Sequence, residues 1–244
     1  MFTPRFSLSA LCSAFLLALL SGCATQPPAA VSASAPTTSR LITQLEQGTP
    51  QTLVLYGTSL TERGAWSRLL KENLATSYPN LVTVHNGAGS GQNSRWGLEN
   101  LNQRVIAHQP DSVLIEFSIN DSVTRFDLSL EESRTNLLAM IDQLQAARPG
   151  IEIILQVMNP VIGKPVGDRS HRRDQEAYAN VYRTVARERN LRLIDHRPEW
   201  NAILKDGGEA AFKRLVRDGV HPSEEANAKI VLPRVARGLG LRLP

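Results

Sequence analysis

The feature that most constrains this chain is an alternation of short apolar, β-branched runs with longer amphipathic ones, repeated five times from residue 52 onward. The short runs are 52–56, 81–85, 112–117, 151–157 and 191–194. They have strand length and few polar residues, as strands do when both faces of a sheet are covered. Between them, residues 65–77, 97–108, 130–147 and 171–190 carry helical spacing, and a last helix is predicted over 223–239. Pro149-Gly150 and Gly163-Lys164-Pro165 punctuate the loops. This succession predicts a three-layer α/β/α fold, flavodoxin-like, with a parallel five-stranded sheet and helices on both faces. Ligands in such folds sit beyond the carboxyl ends of the strands. Polar residues placed just after predicted strands therefore carry the most information about function.

The N-terminus reads differently. Arg5 precedes an apolar run over residues 8–20, too short for a comfortable permanent span, and the run ends in Leu20-Ser21-Gly22-Cys23. This resembles the bacterial lipobox, which implies cleavage before Cys23 and acylation of its thiol; Ala24 in the next position implies sorting to the outer membrane. The expected organisation is a lipoprotein signal peptide over 1–22, a Pro/Ala/Ser/Thr-rich flexible tether over 23–40 and one catalytic domain over 41–244. The expected location is the bacterial cell envelope, with the chain held to a membrane through its lipid.

Composition removes several classes. Cys12 and Cys23 are the only cysteines, so the domain is expected to hold no disulfide, no cysteine metal site and no thiol nucleophile. The net charge of +4 is spread along helical stretches without a block, which argues against a nucleic-acid partner. The five histidines (85, 108, 171, 196 and 221) lack ligand spacing, so neither a metal nor an organic cofactor is expected.

Four polar blocks follow the predicted strands or lie near the C-terminus. After the first strand comes Gly57-Thr58-Ser59, where Gly57 lets the backbone turn and leaves Ser59 at a corner. Taken alone, a serine here is as well explained as a turn residue or helix cap. After the second strand, Gly87, Gly89 and Gly91 stand in a loop whose backbone N–H groups can approach an anion, without the full dinucleotide-binding spacing. Ser118-Ile119-Asn120-Asp121 follows the third strand, and Asn120 can either donate into a site or cap the next segment. Near the C-terminus stands Asp218-Gly219-Val220-His221, in which a carboxylate and an imidazole can meet and fix a tautomer. A surface ion pair explains that spacing equally well.

In this order, the four blocks resemble the SGNH, or GDSL, hydrolases, and the likeness covers nearly all of residues 52–240. The resemblance implies Ser59 as nucleophile, Asp218 and His221 as its partners, and an oxyanion hole built from Ser59, Gly91 and Asn120. The implied activity is ester hydrolysis through an acyl-enzyme on a small-molecule or glycan ester, with short acyl groups expected because no long apolar insertion is left over for a lid or tunnel. Alternatives are a long-chain lipase, lysophospholipase or thioesterase of the same family, and an inactive lipid-anchored binding protein. Two positions depart from the family pattern. Thr58 stands where an aspartate is usual, and Ser118 stands where a glycine is usual, with a β-carbon expected to narrow the floor of the site. The α/β-hydrolase elbow is absent, because Thr61 occupies its second glycine position. Trp66, Trp96 and Trp200 are expected to pack rather than bind sugar. His171-Arg172-Arg173 is expected to be a solvated helix start, or else part of a 159–174 loop at the substrate entrance.

Overall fold

A computed structural model describes residues 38–243. The leader, Cys23 and nearly all of the expected tether lie outside these residues. Five strands, β1 (Gln51–Gly57), β2 (Val82–Asn86), β3 (Ser112–Glu116), β4 (Glu152–Val157) and β5 (Arg192–Asp195), form one sheet in the order β2-β1-β3-β4-β5. All four pairings are parallel. The predicted fold class is the one observed. The strand order reverses at β1, so the connections from β1 and β3 leave toward opposite faces and open a crevice between them.

Side chains alternate across the sheet and build two cores. Leu53, Leu55, Leu114, Ile154 and Ile194 face one layer, formed by α1 (Arg40–Glu46), α3 (Ala65–Ser77), α9 (Arg197–Leu215) and α11 (Leu232–Leu239). Val54, Tyr56, Val113, Ile115 and Leu155 face the other, formed by α4 (Ser94–Glu99), α5 (Leu101–Arg104), α7 (Leu130–Ala147) and α8 (Gln175–Glu188). Short turns of helix, α2 (Ser59–Glu62), α6 (Ser118–Asp121) and α10 (Glu224–Ala226), stand at the loops that matter below.

Several elements depart from the periodicity. The helix predicted over 97–108 is broken into α4, α5 and a 3₁₀ turn, Ile106–His108. The one predicted from 171 starts only at Gln175, because Asp174 takes a left-handed backbone and Arg172 is drawn inward. The last helix carries a wide π turn over Asn227–Val231. Pro233, which lacks the N–H that an α-turn would aim at residue 229, follows directly. Helices α1 and α9 are additional to the sequence reading. In α9 the pair Gly207-Gly208 disguises the pattern, and the backbone does leave helical geometry at Gly208 (φ 61°). Trp66 and Trp200 are fully buried, and Trp96 packs against Tyr56 and Phe117 with ring centroids 5.9 and 6.4 Å apart, so all three tryptophans are packing residues.

Candidate active site

Ser59 owes its place to what lies beneath it. Gly57 is paired with Glu116 across β1 and β3, and a β-carbon on Gly57 would stand 2.6 Å from both the Glu116 carbonyl oxygen and Oε1. The glycine is required by this close approach. Thr58 then caps α2, its Oγ1 accepting from Leu60 N at 3.2 Å, and Ser59 begins the helical turn. Glu116 Oε1 accepts from Thr58 N at 2.8 Å, Thr58 Oγ1 at 2.9 Å and Thr61 Oγ1 at 2.7 Å. The turn that lacks the usual aspartate is thus pinned by a carboxylate from the neighbouring strand. Burial pushes the Glu116 carboxyl up to about 7, against the pull of those three donors.

The glycine loop is tied to the same turn. Gly89 N donates to Gly57 O at 2.9 Å, and Gly91 is exposed with φ +73°, a backbone that favours glycine. Its N–H has no backbone acceptor among the described residues. As the first residue of a helical turn, Ser59 likewise has an N–H without an intrahelical partner.

The third block sits on α6 at the end of β3. Asn120 Nδ2 donates to Gln92 O at 2.8 Å, which joins this block to the glycine loop. Its Oδ1 accepts from Arg172 Nη2 at 3.0 Å. That contact decides the amide's orientation, since a guanidinium can only donate. The second Nδ2 hydrogen is left for the cleft. Asp121 anchors the block by accepting from Ser94 N at 2.7 Å and Ser133 Oγ at 2.5 Å. Ser118 is buried and lines neither of the cavities beside Ser59.

The 218–221 loop completes the constellation. Asp218 Oδ1 accepts from the N–H groups of Val220 and His221 at 2.9 and 2.8 Å, while Oδ2 lies 2.6 Å from His221 Nδ1. His221 Nε2 lies 2.9 Å from Ser59 Oγ. With Nδ1 donating to the carboxylate, the neutral ring keeps Nε2 as an acceptor for the serine proton. Partial burial alone would raise the Asp218 carboxyl, but the hydrogen bonds from the His221 ring and from the two backbone N–H groups hold it below the usual carboxylate range. Gly219 has φ +77°, and a β-carbon there would lie 2.1 Å from Ile162 O. Asn159, just beyond β4, donates from Nδ2 to Val220 O at 3.0 Å and holds the loop to the sheet.

Two cavities open beside Ser59 and His221. One, of about 250 Å³, is walled by Leu60, Arg63, Gly64, Pro222 and Asn227. The other, of about 190 Å³, contains Gly91 and Asn120 together with Arg125, Lys164 and Arg172. All five residues singled out from the sequence for the site thus border one cleft. The reading of Arg172 as a solvated helix start is corrected: it is buried, donating to Ile119 O at 2.8 Å, Ser170 O at 2.7 Å and Asn120. Arg173 does face solvent, 3.6 Å from Asp127. Lys164, Ser170 and Arg172 of the 159–174 loop line the cleft, as the alternative reading of that loop expects, whereas Glu116 and the tether that Asn159 makes to Val220 were not anticipated. Only the position of Glu116, two residues before the third block, offered a signal. The chemistry available is general-base activation of a hydroxyl nucleophile next to a group of N–H donors.

Comparison with known proteins agrees with this geometry. The profile of the GDSL-like Lipase/Acylhydrolase family matches residues 42–229. An arylesterase from Vibrio mimicus is 28% identical over 169 residues, 66% of this chain and 72% of that protein. The thioesterase 1/protease 1/lysophospholipase L1 of Escherichia coli K12 is 25% identical over 188 residues, 72% of this chain and 77% of that protein. An acetylxylan esterase from Geobacillus stearothermophilus is 30% identical over 159 residues, 62% and 69% of the two chains. A crystal structure of an acetylxylan esterase from that organism superimposes with a TM-score of 0.66 at 25% identity, covering 80% of this chain and 96% of the other. The chain belongs to the GDSL-like lipase/acylhydrolase (SGNH) family and is an ester hydrolase of that family.

Proposed function

We propose that Ser59, His221 and Asp218 hydrolyse carboxylic esters of short acyl groups, acetyl foremost, through an acyl-enzyme. The observation that carries this reading is the unbroken chain of contacts from Asp218 Oδ2 to His221 Nδ1 (2.6 Å) and from His221 Nε2 to Ser59 Oγ (2.9 Å). In this mechanism His221 takes the hydroxyl proton as Ser59 Oγ attacks the ester carbonyl. The negative oxygen of the tetrahedral adduct accepts from the N–H groups of Ser59 and Gly91 and from Asn120 Nδ2. His221 then protonates the departing alcohol. Water enters, gives its proton to His221 and attacks the acyl-serine, and the carboxylic acid leaves as Ser59 recovers its proton.

The short-acyl reading rests on the form of the space. Each methylene contributes about 0.8 kcal/mol only when the protein can bury it, and the space of about 250 Å³ beside Ser59, walled by Leu60, Arg63, Gly64, Pro222 and Asn227, is open to solvent and is not a closed apolar tunnel. The similarity to an acetylxylan esterase points the same way. A fluorophosphonate probe should label Ser59, and Ser59→Ala should abolish both labelling and p-nitrophenyl acetate turnover without shifting thermal unfolding. Full turnover in that variant would refute the assignment. Across p-nitrophenyl acetate, butyrate, octanoate and palmitate, kcat/KM should fall beyond about four carbons; a rise through octanoate would favour a lipase or thioesterase. We further propose, from Leu20-Ser21-Gly22-Cys23 and the tether composition, that Cys23 is the lipidated N-terminus of a protein of the outer membrane. Intact mass of the protein from membranes should show the acyl groups, and their absence would refute the anchor.

A further inference from the structure

Around Ser59 the cleft is lined by four cationic side chains, Arg63, Arg125, Lys164 and Arg172. The one carboxylate in the same wall, Asp218, is engaged by His221. None of the four cations lies within ion-pair distance of a carboxylate among the described residues. Arg125 spends one N–H on Arg169 O at 3.0 Å and lies over the ring of Phe126. Arg172 spends its donors on neutral oxygens only. Burial chiefly, and then the charge of Arg125, lower the Arg172 guanidinium to about 10, against the opposing pull of Asp168 and Asp218. Arg63 and Arg125 are exposed and Lys164 is half-buried, so three of the four heads can reach a bound molecule.

A concave site lined by one sign of charge focuses potential and raises the local concentration of the opposite sign. Carboxylates in particular match the guanidinium fork. Resting on the esterase reading above, we propose that the enzyme selects esters whose alcohol part carries a carboxylate, as in an O-acetylated uronate glycan, and that Arg63, Arg125 and Lys164 read that charge. Such a preference sets it apart from an esterase of neutral acetylxylan. The proposed acyl group is a neutral acetyl, so the anion read by these cations belongs to the alcohol part. Arg172 contributes to the same field but is committed to holding Asn120.

The test compares 4-acetoxybenzoate with its methyl ester, each rate divided by the rate of hydroxide-catalysed hydrolysis of the same compound. In parallel, acetate release is measured from O-acetylated polygalacturonate and from acetylxylan. The wild type should favour the anionic member of each pair by about tenfold at low salt. The preference should shrink as potassium chloride is raised, because the screening length falls from about 30 Å at 0.01 M to about 3 Å at 1 M. In the double variant Arg125→Gln/Lys164→Gln the ratio of the two small esters should collapse toward one. Turnover of the neutral ester at least as fast as the anionic one, or a ratio unchanged in the double variant, overturns the proposal alone. Absence of turnover on every ester, together with no fluorophosphonate labelling, overturns the esterase reading and the proposal with it.

Discussion

Two buried residues outside the expected catalytic set hold that set in place. Arg172 pins the Asn120 amide by its oxygen; in the proposed mechanism its charge polarises the amide so that Nδ2 donates more strongly to the oxyanion. Arg172→Gln should therefore lower kcat on a neutral acetyl ester by about tenfold to a hundredfold, short of the 10²–10³ typical for losing an oxyanion donor outright. KM should change little, because the interaction matters chiefly in the transition state. Steady-state kinetics separates this from a purely structural role, which would leave kcat per active site intact. Arg172→Lys should not restore the rate, since one ammonium cannot span Ile119 O, Ser170 O and Asn120 Oδ1 together. Glu116 acts on the nucleophile's side of the cleft and makes stability depend on pH. Its carboxyl rises from an ordinary value of 4.5 to about 7 because burial disfavours the charged form. Between those values the unfolded chain has released the proton and the folded chain keeps it, so the contribution is fully present below about 4.5 and is lost as pH rises through about 7. Glu116→Gln removes the titration. Relative to that variant, the wild type should lose melting temperature between pH 4.5 and pH 7, measured by thermal unfolding; parallel curves for the two proteins would contradict the assignment.

At the scale of elements, the site is made from strand-end turns locked to one another. The β1 turn accepts Gly89 N, the glycine loop accepts Asn120 Nδ2, and the 218–221 loop rests on Asn159 and Ile162 beyond β4. Gly219 is the tightest point of this assembly. Its positive φ and the 2.1 Å approach of a β-carbon to Ile162 O leave no room for a side chain. Gly219→Ala should cost about 1–3 kcal/mol of stability, and should also shift His221 away from Ser59. Turnover is then expected to fall by more than the unfolded fraction accounts for, checked by active-site titration of the folded protein. The alternating apolar runs made the strands legible in advance, and α3 and α7 fall on their predicted residues. The pattern concealed α9, whose glycine pair reads as a breaker and does kink the chain at Gly208, with helix on either side. It also concealed the late start of α8, where Asp174 takes a left-handed backbone just before Gln175.

Across the whole molecule, the reversal of strand order at β1 brings turns far apart in the chain to one edge of the sheet. The layer carrying α9 and α11 is closed by α1. Ser39 N donates to Leu239 O at 2.8 Å, the Glu152 carboxylate accepts from Arg40 N and Leu41 N, and Leu41, Ile42 and Leu45 are buried. Ser39 Oγ caps the helix by accepting from Ile42 N at 3.2 Å. Ser39→Ala in the full chain should destabilise it by about 1 kcal/mol, lowering Tm by roughly 2–4 °C. Ester turnover at 25 °C should stay at the wild-type level, because α1 does not touch the cleft. A Tm that does not move would show that the cap adds nothing to the packing of Leu41, Ile42 and Leu45.

The chain by itself determined the layers, the parallel sheet and the identity of the residues at the strand ends, because hydrophobic period and turn chemistry are local properties written in neighbouring residues. Its order of Ser59, Gly91, Asn120 and Asp218-x-x-His221 was likewise readable as a pattern. Only the tertiary structure decided which carboxylate supports the Thr58 turn, which way the Asn120 amide faces and why Gly57 is a glycine. It also decided that Arg63, Arg125, Lys164 and Arg172 converge on one cleft. Those facts belong to contacts between residues tens of positions apart. Burial, hydrogen-bond partnership and the summing of charge in a cavity come into being when the sheet and its loops close around them, and no local pattern encodes them.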